Sequence, residues 1–464
     1  MFGRLRLLDD PKPAIVPPRP PPPPPRAMIT YNKDLPSLPD DILCEIFGLL
    51  DVESLIFCSL TGKALSCSAK PFIHRTLYLT PRSKVTPYVT PHMMPKTPGP
   101  WNELKGLQTL SERGLLHHTR HISISLPRNP LFVHDLEPYI RQLGTITNLR
   151  SLKTRWLDVP SFIPKMEECF GGFLGSLRFL ELESPRGDHH QILCFACQFP
   201  NLRDLKINGL QDYSHSMRNG GPYFEIKTSP PLDGTLDLEL GLDAGPGGDS
   251  IGAQLFVSNL VTLPSGLRFR TLKLSEWVGN NLQLLVDACA PTLECMELTS
   301  ECFGRSFVEL GGCPLFTLVR TTSLSGTPRC PQLSFKRHPV LRDLEINLAS
   351  SVDLERAARW LSGTLKTITS NAFTKLTVCV DRVTLSLRAT GENYVREWSA
   401  VDNVLDRLSL CEDVTLVVRL DEWVEMDKFG KMVEKYFPLM WENGRVNLEV
   451  PPPTMRDVTL KRIY

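Results

Sequence analysis

The sequence predicts an α/β chain: a three-helix unit near the N-terminus, then a long irregular solenoid of strand–helix repeats. Three observations carry this. "LPDDILCEIFGLL", beginning at Leu38, places apolar residues at helical spacing behind an acidic start. A Leu-x-x-Leu-x-Leu pattern recurs along the middle of the chain. Proline-rich stretches flank the helical unit on both sides.

The totals set the frame. The chain has 464 residues, formal net charge +1, 42% hydrophobic and 22% charged residues. That suits two to four domains, or one repeat domain with attachments. A near-neutral balance gives no global attraction to nucleic acid or to an acidic membrane. Thirteen dispersed cysteines are an odd number and read as reduced thiols of a cytoplasmic or nuclear protein. No apolar run reaches the length of a membrane span. "MFGRLRLLDDPKPAIV" is basic then apolar, but Asp9, Asp10 and Pro11 break the uninterrupted core that a signal peptide needs.

Residues 1–34 contain "PPRPPPPPPR". Proline fixes φ and removes donors, so this is an extended polyproline II tail, a stiff spacer or a ligand for an aromatic groove. Residues 35–80 read as three helices. Pro39 suits a first helical turn, and Asp40 and Asp41 face the positive end of the helix dipole. Ile42, Leu43, Ile46, Phe47 and Leu50 make one broad apolar face. Asp51 caps a second helix carrying Val52, Leu55, Ile56 and Leu60, which Gly62 ends. A third helix breaks near Pro71 and runs into an extended segment at Thr76–Leu79. Residues 81–115 are proline-rich again and read as a linker.

Repeats occupy about 116–380. The clearest copies are "LRSLKT" (Leu149), "LRFLEL" (Leu177), "LRDLKI" (Leu202), "FRTLKL" (Phe269), "LECMEL" (Leu293) and "LRDLEI" (Leu341), with weaker copies from Leu232 and Leu315. Clear neighbours start 28, 25 and 24 residues apart (149 to 177 to 202, and 269 to 293), the period of leucine-rich repeats. Each strand-plus-helix unit has an apolar face that it cannot bury alone, so stacking is required. Leucines then point into the core, and the charged residues between them point out. The outward set is Arg150, Lys153, Arg178, Glu181, Arg203, Lys206, Arg270, Lys273, Glu294, Glu297, Arg342 and Glu345. Mixed signs favour a protein partner over nucleic acid. Residues 381–464 offer strands ("VTLSLRA", "VTLVVRL", "GRVNLEV") and two helices, read as atypical repeats that cap the array.

Chemistry is sparse. "GDSIG" (Gly248–Gly252) matches a hydrolase nucleophile elbow, but a glycine-rich loop stands where the elbow needs a strand. Cys194 and Cys197 form C-x-x-C inside an apolar helix, without the second cluster that a zinc site needs. His117, His118 and His121 gather where the repeats begin and read as a solvated turn. No phosphate-binding loop is present. The expectation is a non-catalytic chain with no cofactor and no metal.

The segment Leu35–Leu79 resembles the F-box. The resemblance rests on the Leu38-Pro39 start, the acidic pair, "ILCEIFGLL", "DVESLIFCSL" and "KPFIHRTLYL". It covers about a tenth of the chain. It departs at Thr61–Leu65, where many members carry a Val-Cys-Arg-x-Trp-like run; here Leu65 would fill the tryptophan slot. An F-box ahead of irregular leucine-rich repeats is a familiar pairing, and "FPLMWENGRV" is similar to endings in fungal F-box sets. The resemblance implies a substrate-recognition subunit of a Skp–cullin–F-box ubiquitin ligase, which marks a target protein for degradation. It implies contact with the Skp-type adaptor, and through it a cullin, by Leu38, Pro39, Ile42, Leu43, Ile46 and Leu55. The alternative is a non-ligase leucine-rich-repeat scaffold with a degenerate F-box.

Overall fold

The computed structural model describes residues 38–79, 102–126, 141–210, 226, 228–240, 251–275, 281–300, 332–348, 354–381, 392–408, 413–419 and 426–449. The chain divides into two compact units, Met1–Leu50 and Asp51–Tyr464. The proline tail, the first part of the expected linker, the repeat copy at Leu315 and the "VTLSLRA" segment lie outside the described residues.

In the first unit, helix α1 spans Asp40–Leu49. Pro39 stands at its N-cap, and Asp40 and Asp41 occupy the first turn. A ten-residue helix is too short to hold itself in water by propensity alone. Of its own residues only Phe47 is buried.

The second unit opens with α2 (Val52–Thr61) and α3 (Lys63–Ile73), which pack together. The Asp51 carboxylate accepts the Ser54 amide at 2.7 Å and caps α2. Gly62, in extended conformation, ends α2 and starts α3. Pro71 lies in the last turn of α3, and strand β1 (Thr76–Leu79) follows at once. The region expected to be a linker holds α4 (Asn102–Glu112). Leu107 of that helix is fully buried in the core and Leu110 packs against it, one turn apart. This pairing outweighs the proline signal upstream.

Twelve strands then form one sheet in chain order, each parallel to the next. They are β1, β2 (His121–Ser125), β3 (Ser151–Arg155), β4 (Phe179–Glu183), β5 (Asp204–Leu210), β6 (Thr235–Leu240), β7 (Thr271–Ser275), β8 (Cys295–Ser300), β9 (Asp343–Leu348), β10 (Lys375–Asp381), β11 (Asp413–Arg419) and β12 (Val446–Glu449). Parallel neighbours need a crossover, and the described crossovers include helices such as His189–Cys197 and Leu354–Leu365.

Register explains the leucines. Leu152, Leu180, Leu205, Leu236, Leu272, Met296, Leu344, Leu376 and Val414 stand in one buried row across β3 to β11. Helices pack on this side. Between β3 and β5 the filling is aromatic: the Phe170 ring lies 5.7 to 6.5 Å from those of Phe162, Phe173, Phe195 and Phe199. Backbones approach closely here too, because a Cβ on Gly172 would overlap the Gly144 carbonyl oxygen. The C-terminal region expected to be atypical joins the same array. β11 and β12 continue the sheet, and Trp398 meets Phe437 at 5.3 Å in the same core.

Candidate functional site

The expected contact residues divide by burial. Leu38 and Pro39, just ahead of α1, and Ile42 and Ile46 on it are exposed, and Leu43 is half-buried. Leu49 is 88% exposed. On α2 the expected face splits. Leu55 is 3% exposed and belongs to the interior, whereas Val52, Ile56, Phe57 and Leu60 stand in solvent, Leu60 at 76%. The period of 3.6 residues puts Leu55 and Ile56 about 100° apart, so one points in while the other points out. The expected set does not include Phe57 and Leu49, both exposed. Their positions on the solvent sides of their helices become visible only once Phe47 and Leu55 are known to be the buried residues. Leu65 is half-buried near the start of α3.

The outward charges of the sheet form an ordered pattern. Lys153, Glu181, Lys206, Asp237, Lys273 and Glu297 occupy matching positions on β3 to β8. Each lysine faces an acid on the next strand: Lys153 to Glu181 at 2.9 Å, Lys206 to Asp237 at 2.9 Å and Lys273 to Glu297 at 2.7 Å. Hydrogen bonds to Asp237 and Glu297 raise the Lys206 and Lys273 ammonium groups above the usual lysine range. Arg155 pairs with Glu183 at 2.9 Å and lies over the Trp156 ring at 4.2 Å. Glu345 breaks the alternation by following Glu297. This face therefore neutralises most of its own charge. The remaining expected positions, Arg150, Arg178, Arg203, Arg270, Glu294 and Arg342, sit one residue before their strands, at the sheet's edge.

The reactive-looking motifs resolve simply. Cys194 and Cys197 are buried, and burial pushes their thiols up to about 11 and about 12, far from thiolate chemistry. Among the described residues no group of three or more His, Cys, Asp or Glu side chains is arranged to hold a metal ion. His117 and His118 lie in a single 3-10 turn (Leu115–His118), and His121 begins β2. Ser250 lies outside the described residues; the helix expected after it is present at Ile251–Val261. No helix among the described residues is long and apolar enough to cross a membrane. No protein-family model matches the chain, and no curated protein is significantly similar to it.

Proposed function

We propose that residues 35–80 are an F-box, that the strand–helix array is a leucine-rich-repeat solenoid, and that the protein recruits a target to a Skp–cullin–F-box ubiquitin ligase. The observation that carries this reading is the apolar surface of two well-started helices. α1 and the residues leading into it leave Leu38, Ile42, Ile46 and Leu49 in water, and α2 leaves Val52, Ile56, Phe57 and Leu60. Withdrawing one such side chain fully from water is worth about 1.5–3 kcal/mol. Four such side chains in each unit, within 23 residues of sequence (38 to 60), are the expected mark of docking faces and not of scattered exposure.

In this reading the chain performs no covalent step. The adaptor engages Leu38, Pro39, Ile42, Leu43 and Ile46, with the solvent-facing residues of α2 as further contacts. Leu55 supports α2 from within. A target held by the repeats gains effective concentration near the ubiquitin-charged enzyme.

The test is co-purification of the full chain with a Skp-type adaptor. Wild type should elute as a stoichiometric complex. Leu38→Ala/Pro39→Ala should weaken it, and Ile42→Glu/Ile46→Glu should abolish it while leaving the melting temperature of the free chain within about 2 °C, since surface substitutions shift stability little. A well-folded wild type that ignores the adaptor would leave a repeat scaffold with a degenerate F-box.

A further inference from the structure

One register position of the sheet carries a pattern that the ligase reading does not use. The residue just before each of the first five strands is arginine: Arg75, Arg120, Arg150, Arg178 and Arg203. Backbone hydrogen bonds lock these five into a row. The Arg75 carbonyl accepts the Arg120 amide at 2.8 Å, Arg120 that of Arg150 at 2.8 Å, Arg150 that of Arg178 at 2.9 Å, and Arg178 that of Arg203 at 2.9 Å. Parallel strands lie about 4.8 Å apart, so the row spans roughly 19 Å.

Among the described residues the charge of this row is largely uncompensated. Arg75, Arg150, Arg178 and Arg203 are exposed, and Arg120 is half-buried. Among the described residues, Arg75, Arg150 and Arg178 have no carboxylate within ion-pair distance. Arg120 donates to the Asn148 carbonyl at 3.2 Å, and Arg203 lies 3.7 Å from Asp233. The lysines on the face of the sheet are each engaged by a carboxylate at 2.7 to 2.9 Å. Cations also dominate the start of the row. The His121 imidazole is held below its ordinary value, first by burial and then by Arg75 and Arg150.

We infer that this arginine edge binds an acidic segment of a partner protein, an extended stretch rich in aspartate and glutamate. Guanidinium forks take carboxylates in paired hydrogen bonds, and five at strand spacing offer a carboxylate-rich chain several anchors at once. A nucleic acid fits less well. On the adjoining face Glu181, Asp237 and Glu297 already engage the lysines, so a continuous phosphate backbone finds no further open cation beyond the arginine edge. A protein segment can turn carboxylates to the arginines and neutral or basic side chains to those acids.

The experiment is fluorescence anisotropy of a labelled glutamate/aspartate peptide of about twelve residues with the full chain, in the absence of any adaptor, so its outcome is independent of the F-box reading. Wild type should bind, more weakly as salt rises. Arg150→Glu/Arg178→Glu should lose about tenfold or more in affinity, Arg150→Gln/Arg178→Gln should lose in the same direction, and Lys273→Gln should bind as wild type. The inference is overturned by absence of binding at low salt. It is equally overturned if the glutamine pair, melting as wild type does, binds the peptide undiminished, or if a single-stranded oligonucleotide of equal length displaces the peptide at equal concentration.

Discussion

Thr154 sits in a row of the sheet that is otherwise aliphatic. Ile124, Leu182, Ile207, Leu238, Leu274, Leu298, Ile346, Val378 and Leu416 fill the same position on β2 and on β4 to β11. Thr154 is buried, and its hydroxyl has no hydrogen-bond partner among the described residues. A buried unpaired hydroxyl costs more than a methyl of equal size. Thr154→Val should therefore raise the unfolding free energy by about 1 kcal/mol in a urea titration; an unchanged or lower midpoint would mean that the hydroxyl is satisfied. Histidines give a second residue-scale expectation. Burial first, then neighbouring cations, hold His74, His118 and His121 below the 6.5 of a free imidazole. The unfolded chain then binds more protons just below that value. Their contribution is neutral above about pH 7 and becomes destabilising as pH falls through the unfolded value toward the depressed folded ones. The urea midpoint should drop between about pH 7.5 and about pH 5.5, and His118→Gln/His121→Gln should flatten that slope.

Elements were the most legible scale, for a physical reason. In all six clear motifs the strand starts two residues after the first motif residue, as with Leu149 and Ser151 or Leu341 and Asp343. The period of two then fixes which leucines go inward. β1 is legible as the extended segment Thr76–Leu79, whereas β2 is faint, because Thr119 stands where the leading leucine would be; an arginine two residues before an apolar one, in "TRHI", is the signal that remains. α4 is not legible in the sequence, because prolines precede it and its own apolar residues are few. Helix burial on the far side of the sheet was only partly readable. Nothing in "MEECF" announces that Phe170 sits at the centre of five phenylalanines. Phe170→Ala should cost about 3–5 kcal/mol, because a cavity is left among rings fixed by their neighbours. A denaturation midpoint shifted by less than a third of that would show that the cluster collapses to fill the gap.

At the scale of the whole chain, two kinds of surface stand apart. The sheet face is stitched by its own ion pairs, each worth little in water, about 0.2–1 kcal/mol, and so presents little net charge to a partner. The exposed apolar side chains of α1, and those of α2, have no such answer among the described residues. Both helices are legible in the sequence, but which of the six expected contacts turn outward is not, because a helical period alone does not say which side is turned toward the rest of a unit; Leu55 is the one the fold buries. The most direct test of the proposed docking is amide hydrogen exchange of the full chain with and without the Skp-type adaptor. The account predicts slowed exchange across Asp40–Leu49 and Val52–Thr61, with no change from β3 to β10. Unchanged exchange in both helices, or protection that falls on the strands instead, would contradict it.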